Sequence, residues 1–131
     1  MKRLLLACCL VAASGTVVMA QNKAAVTSQD QKVDPKLMFA SKVNELEANI
    51  ARKDEQTAKS TYMQLAGMMQ TRIGEKQRAY DASNSDAERK EIAKQRKQQE
   101  QLYIDTKNLY PTIGTSGTEM VKKMREFLNV Y

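Results

Sequence analysis

The densest apolar run after the N-terminal leader extends from Tyr62 to Ile73. At about 100° per residue, its apolar side chains share one helical face with Tyr80. That face comprises Tyr62, Leu65, Ala66, Met69, Ile73 and Tyr80. A helix with such a face needs partners to cover it, and the rest of the chain is patterned to supply them.

An amphipathic pattern also precedes this run, at steps of four, three and four residues: Phe39, Val43, Leu46 and Ile50. Asp34 as N-cap and Pro35 at the first position predict a helix over about 36–52. Its stripe and the Tyr62 stripe are about 120° apart on an ideal helix. We favour a break near Asp54, which would cap a second helix over 55–81. One continuous helix is the alternative, supported by the absence of Gly and Pro at this corner.

Two further helices are predicted in the second half of the chain. Ser85 and Glu88 have the spacing of a capping box and open a helix over 86–109. The centre of this helix, residues 94–101, is polar, so we expect the lowest local stability there. Pro111 ends it, and the composition of residues 112–117 predicts a loop. A last helix over 118–130 follows, capped by Ser116 or Thr118.

The N-terminus has the layout of a secretory signal peptide, with a basic start, an apolar centre and small residues at Val18 and Ala20. We predict cleavage after Ala20 and a periplasmic or secreted protein. Lipidation at Cys8 is disfavoured because it would leave too short a hydrophobic region. Residues 21–33 are polar and predict a flexible segment, followed by one domain over 34–131. No later stretch predicts a transmembrane span.

The residue types that remain after cleavage exclude most helical enzymes. The sequence has no histidine, and both cysteines lie in the leader. Nucleophile–imidazole pairs, zinc–thiolate sites and His-ligated haem or di-iron centres are therefore excluded. Glu88 and Glu91 are close on one helix face, but neighbouring cations predict a solvated, ion-paired surface. We expect no enzyme activity, no metal site and no cofactor.

Two surfaces are candidates for interaction. Lys90, Lys94 and Lys97 form a stripe on the third helix, which predicts either a solubilising face or a patch for an anionic partner. No aromatic residue interleaves with these lysines, so we expect no nucleic-acid binding. The last helix has the cleanest apolar face, which includes Met120, Met124, Phe127 and Leu128. That face predicts either the core of the domain or a surface shared with a second chain.

The sequence as a whole predicts an all-α bundle of three or four antiparallel helices. Removal of Lys2 and Arg3 with the leader lowers the formal charge from +6 to +4, which is only mildly basic. The leading hypothesis is an exported non-enzymatic protein of the bacterial envelope that acts by protein–protein interaction or self-association. The alternative is a small periplasmic chaperone or stress-binding protein with a basic, Met-containing surface, an analogy at the level of the fold.

Overall fold

The computed structural model describes residues 32–131, of which Asp34–Tyr131 form one compact unit. This part of the chain is all-helical and contains no strand. Its helices are α1 (Pro35–Ala51), α2 (Glu55–Ala82), α3 (Asp86–Leu109) and α4 (Ile113–Asn129), with a 3-10 turn at Tyr110–Thr112 between α3 and α4. The predicted signal peptide and the predicted flexible segment lie outside the described residues, except for Lys32 and Val33.

Local capping explains where the first three helices begin. The Asp34 carboxylate accepts from the Lys36 amide at 2.9 Å, and the Asp54 carboxylate accepts from the Thr57 amide at 3.1 Å. The Ser85 hydroxyl accepts from the Glu88 amide at 3.4 Å. These bonds satisfy amide groups that have no acceptor within the helix. The capping box at Ser85 is only half formed, because the Glu88 carboxylate bonds to the Ser83 hydroxyl instead.

The chain turns between α1 and α2 without a glycine, so the continuous helix considered above is wrong. Lys53 adopts the left-handed conformation, with φ of 58°. Its amide donates to the Ile50 carbonyl, and the Asp54 amide donates to the Asn49 carbonyl, both at 3.0 Å. This pair of bonds is the Schellman arrangement that commonly ends helices. The corner is therefore made by hydrogen bonds and a strained lysine, at a cost of roughly 1–2 kcal/mol.

The start of the last helix corrects the sequence interpretation. The predicted loop over 112–117 is helical, and α4 begins at Ile113, so Ser116 and Thr118 lie inside the helix and do not cap it. Pro111 sits at the start of the 3-10 turn, where a missing amide proton costs no hydrogen bond. Ile113 is 1% exposed, and Gly117 is buried against α1. Packing of this first turn onto the domain overrides its loop-like composition.

Residue pairs across the helices fix how they run. Between α2 and α3, Gln70 bonds to Tyr103 and Lys76 bonds to Gln95. Between α3 and α4, Gln99 bonds to Val130 and Asp105 pairs with Lys123. Between α4 and α1, Phe127 packs on Phe39, and Gly117 approaches Ile50. In each pair one residue number rises as the other falls, so these neighbouring helices are antiparallel and α4 returns to α1. The apolar stripes meet between them. The buried core consists of Phe39, Val43, Leu46, Ala58, Tyr62, Leu65, Ala66, Met69, Leu102, Ile113, Met120, Val121, Met124 and Phe127.

The buried core does not follow α2 and α3 to their ends. The last buried apolar residue of α2 is Met69, and the first buried residue of α3 is Gln99. At 1.5 Å per residue, α2 with 28 residues is about 16 Å longer than α1 or α4 with 17. Residues 70–98 therefore extend past the fully buried core as a pair of helices, which we call the hairpin arm. The base of the arm still contacts the body, because Ile73 packs against the core and the Arg72 guanidinium carbon lies 5.0 Å from the Tyr131 ring centroid.

Candidate functional site

The hairpin arm is held together by polar contacts in place of an apolar core. The Lys76 ammonium donates to the Gln95 amide oxygen at 2.6 Å, and the Arg96 guanidinium donates to the Gln77 amide oxygen. Within residues 70–98 no apolar side chain is fully buried. Burial lowers the pKa of Lys76, an effect that neighbouring Arg72 adds to. Two half-buried cations thus bond to amide side chains across the α2–α3 contact.

Two arginines cover the aromatic ring of the arm. The guanidinium carbons of Arg89 and Arg96 lie 5.8 Å and 6.0 Å from the Tyr80 ring centroid. Both distances are within the range of cation–π attraction. The ring is half-buried beneath these groups and is the single aromatic side chain between residues 70 and 98.

A short turn closes the arm at its tip. The Ser83 hydroxyl donates to the Glu88 carboxylate at 2.5 Å, and the Arg89 Nε donates to the Ser83 carbonyl at 2.7 Å. Ser83 is buried, unlike Asn84 and Ser85 beside it. These bonds connect the end of α2 to the first turn of α3.

The net charge of the compact unit is concentrated on the arm. Residues 70–98 contain eight Lys and Arg and five Asp and Glu, whereas the rest of Asp34–Tyr131 contains nine of each sign. The arm is thus +3 and the four-helix body is neutral. Charge segregated in this way sets up a local positive potential that a uniformly basic protein of the same net charge would lack.

The predicted lysine stripe lies on the outer face of this arm. Lys90, Lys94 and Lys97 are all exposed, and in the described part of the chain none of them forms an ion pair. Several cations elsewhere do pair with carboxylates, among them Lys42 with Glu45 at 2.7 Å. The charges of these three lysines are therefore not neutralised by an ion pair with any carboxylate of the described residues.

The predicted ion pairing of Glu88 and Glu91 is not formed. Glu88 accepts from Ser83, and Glu91 accepts from the Gln95 amide nitrogen at 3.0 Å. Each carboxylate contacts an uncharged group, so the lysines beside them stay free. Among the residues that the structure describes, no cluster of three or more acidic side chains could hold a metal ion.

The apolar face of α4 is turned into its own chain. Met120, Met124 and Phe127 are each 0% exposed, and Leu128 is half-buried. The Phe127 ring lies 5.2 Å from that of Phe39, measured between centroids. These side chains fill the core of the folded unit. Of the two roles predicted for this face, the structure therefore supports the core of the domain over a surface shared with a second chain.

A shallow groove between α1 and α4 was not foreseen from the sequence. Its volume is about 590 Å³, and Ile50 and Val121 contribute apolar surface to it. The Arg125 guanidinium donates to the Glu47 carboxylate at 2.5 Å, joining the two helices beside the groove. The charges at this groove neutralise each other, which distinguishes it from the arm.

Sequence reasoning found the lysines of α3 but missed the cations that α2 contributes to the arm. These are Arg72 and Lys76, which are half-buried, and Arg78, which is exposed. The signal that could have found them is helix length, since the second and third predicted helices were already longer than the first.

The chain was compared with known protein families, curated proteins and solved structures, and it matches none of them. In the described residues, no helix is long and apolar enough to cross a membrane.

Proposed function

We propose that this chain is an exported, non-enzymatic helical protein of the bacterial envelope that acts by binding another protein, and that the hairpin arm is its binding surface. Export is supported by the arrangement of residues 1–20, with a basic start, an apolar centre and Ala20 at the cleavage position. The compact unit then works as a scaffold that presents the arm.

One observation carries the proposal for the arm. The net positive charge of the compact unit lies on a pair of helices that contains no fully buried apolar side chain, and its outer lysines lack ion-pair partners among the described residues. Charges at a binding surface accelerate encounter with an oppositely charged partner and suppress encounter with others. The proposed partner surface is therefore anionic.

The placement of the methionines supports the chaperone alternative less well than it supports binding through the arm. Met69, Met120 and Met124 are fully buried. Met38 and Met63 are exposed, but they lie on different helices and outside the arm. A chaperone of the kind considered needs adaptable methionines beside its cations to hold unfolded chains, and the basic surface of the arm has none.

A charge-reversal experiment tests the proposal. The variant Lys90→Glu, Lys94→Glu, Lys97→Glu changes the charge by the same amount as a control triple at the exposed lysines 36, 107 and 122, which lie outside the arm. Fluorescence anisotropy with labelled poly-glutamate at low and high salt measures binding. We expect the arm triple to weaken binding about tenfold, since exposed ion pairs contribute roughly 0.2–1 kcal/mol each. Equal losses in the two triples would mean that only the total charge matters and would refute the assignment to the arm.

A further inference from the structure

We infer that the partner of the hairpin arm is an acidic α-helix of another protein, which lies along the outer face of α3 with its carboxylates in register with Lys90, Lys94 and Lys97. This inference rests on the proposed function and specifies the partner of the same surface.

The spacing of the lysines supports a helical partner. Steps of four and three residues place them about 6 Å and 4.5 Å apart along α3, on one face, over a total of about 10.5 Å. Carboxylates at i, i+4 and i+7 of a second helix have the same spacing. Two such helices lying side by side bring each ammonium opposite one carboxylate, and helices can pack at 8–10 Å between axes.

The composition of the outer face argues against a membrane surface as the partner. Amphipathic helices that bind membranes insert large apolar or aromatic residues. The exposed residues of α3 within the arm include no apolar side chain larger than Ala87. The exposed large apolar residues of the described chain all lie outside residues 70–98, and they are Val33, Leu37, Met38, Met63 and Ile104.

Nucleic acid and a second copy of this chain are also poor partners for this face. Proteins that bind single-stranded nucleic acid stack bases on exposed aromatic rings. Tyr80 is the aromatic ring of the arm, and Arg89 and Arg96 lie over it. A second copy would oppose one arm of charge +3 with another, and like charges across an interface repel each other.

An acidic residue limits the stripe at its N-terminal end. Asp86 lies one turn before Lys90, in the first turn of α3 and on the same face. A partner whose acidic residues continued past Lys90 would meet repulsion from Asp86, whereas an acidic patch of about two turns opposite the stripe would not. Repulsion of this kind favours a partner whose acidic patch ends there.

Two peptides of identical composition test the inference. Each has three Glu in an Ala- and Gln-rich helical host, at i, i+4 and i+7 in the matched peptide and on three different faces in the scrambled one. Amide chemical shifts of the isotopically labelled mature protein, followed by NMR at low ionic strength, report affinity and location. We expect the matched peptide to bind about fivefold more tightly, with shifts along residues 90–97. We also expect this preference to vanish in the Lys90→Glu, Lys94→Glu, Lys97→Glu variant, and a peptide with Lys in place of Glu to restore it.

The outcomes separate this inference from the proposed function. Equal affinity for both peptides, or tighter binding to phosphatidylglycerol vesicles or to single-stranded DNA than to the matched peptide, would overturn the acidic-helix partner while leaving the arm as an anion-binding surface. If the arm triple binds every one of these probes as well as the wild-type protein does, the proposed function itself fails.

Discussion

Gly117 is where α4 approaches α1 most closely, and its replacement by alanine tests this packing directly. A Cβ atom added there would lie 2.7 Å from Ile50 Cγ2 and 2.9 Å from Ile50 Cδ1 and Cγ1. Carbon atoms attract best at about 3.5–4.0 Å, so these distances require a shift. Ile50 is branched at Cβ and stiff at χ1, so its two nearest branches cannot both move away.

The expected change in the free energy of unfolding for Gly117→Ala is the difference between two opposing effects. Alanine is a better helix former than glycine by about 1 kcal/mol. Overpacking a well-filled contact costs roughly 1–3 kcal/mol, which leaves Gly117→Ala destabilised by about 1 kcal/mol. Gly67 and Gly74 are the matched controls, because a Cβ at either position meets nothing within 4 Å. There the helix preference acts alone, so each Ala variant is expected to be stabilised by about 0.4–1 kcal/mol.

Urea unfolding, followed by far-UV circular dichroism, measures both the expected destabilisation by Gly117→Ala and the expected stabilisation by the Gly67 and Gly74 variants. A double variant adds a sharper test, because Ile50→Ala removes the atoms that a Cβ at position 117 would meet. In that background, Gly117→Ala is expected to stabilise the protein relative to Ile50→Ala alone. If Gly117→Ala stabilises the otherwise unchanged protein as much as Gly67→Ala does, α4 does not approach α1 as closely as described.

Three further predictions follow from the fold, and a fourth follows from the N-terminal sequence. Lys53→Gly is expected to stabilise the protein by about 1 kcal/mol in urea unfolding, since glycine adopts the left-handed conformation without strain; an unchanged midpoint would contradict the corner geometry. The hydrogen bonds from Thr57 lower the pKa of Asp54. The stability that this cap contributes is therefore complete above pH of about 4 and is lost as pH falls through the lowered pKa, so Asp54→Asn is expected to flatten that part of the acid-stability curve. Phe127→Asp is expected to unfold the domain, as seen by loss of helical circular dichroism, and a folded variant of smaller hydrodynamic size would instead assign this face to a contact between chains. Mass spectrometry of the exported protein is expected to show Gln21 as its first residue, and an intact leader would contradict export by cleavage.

The sequence determined the helices that begin at local signals. Asp34, Asp54 and Ser85 each cap a helix through a bond to an amide two or three residues ahead, so their effect is contained in a few consecutive residues. Apolar periodicity likewise predicted most of the core face, because a helix places residues three and four apart on one side. The exposure of the lysine stripe followed from the same geometry.

Tertiary packing decided the features whose causes lie far apart in the chain. The predicted loop over 112–117 is helical because Ile113 and Gly117 pack onto the domain, a contact that no local pattern encodes. The hairpin arm exists because α2 and α3 extend beyond α1 and α4, and this is a relation among four helices. The overall charge of the sequence is only mildly basic, so it did not predict that the net charge would be concentrated on the arm. Capping and periodicity act within one turn, whereas the length mismatch and the close approach at Gly117 depend on which helices become neighbours.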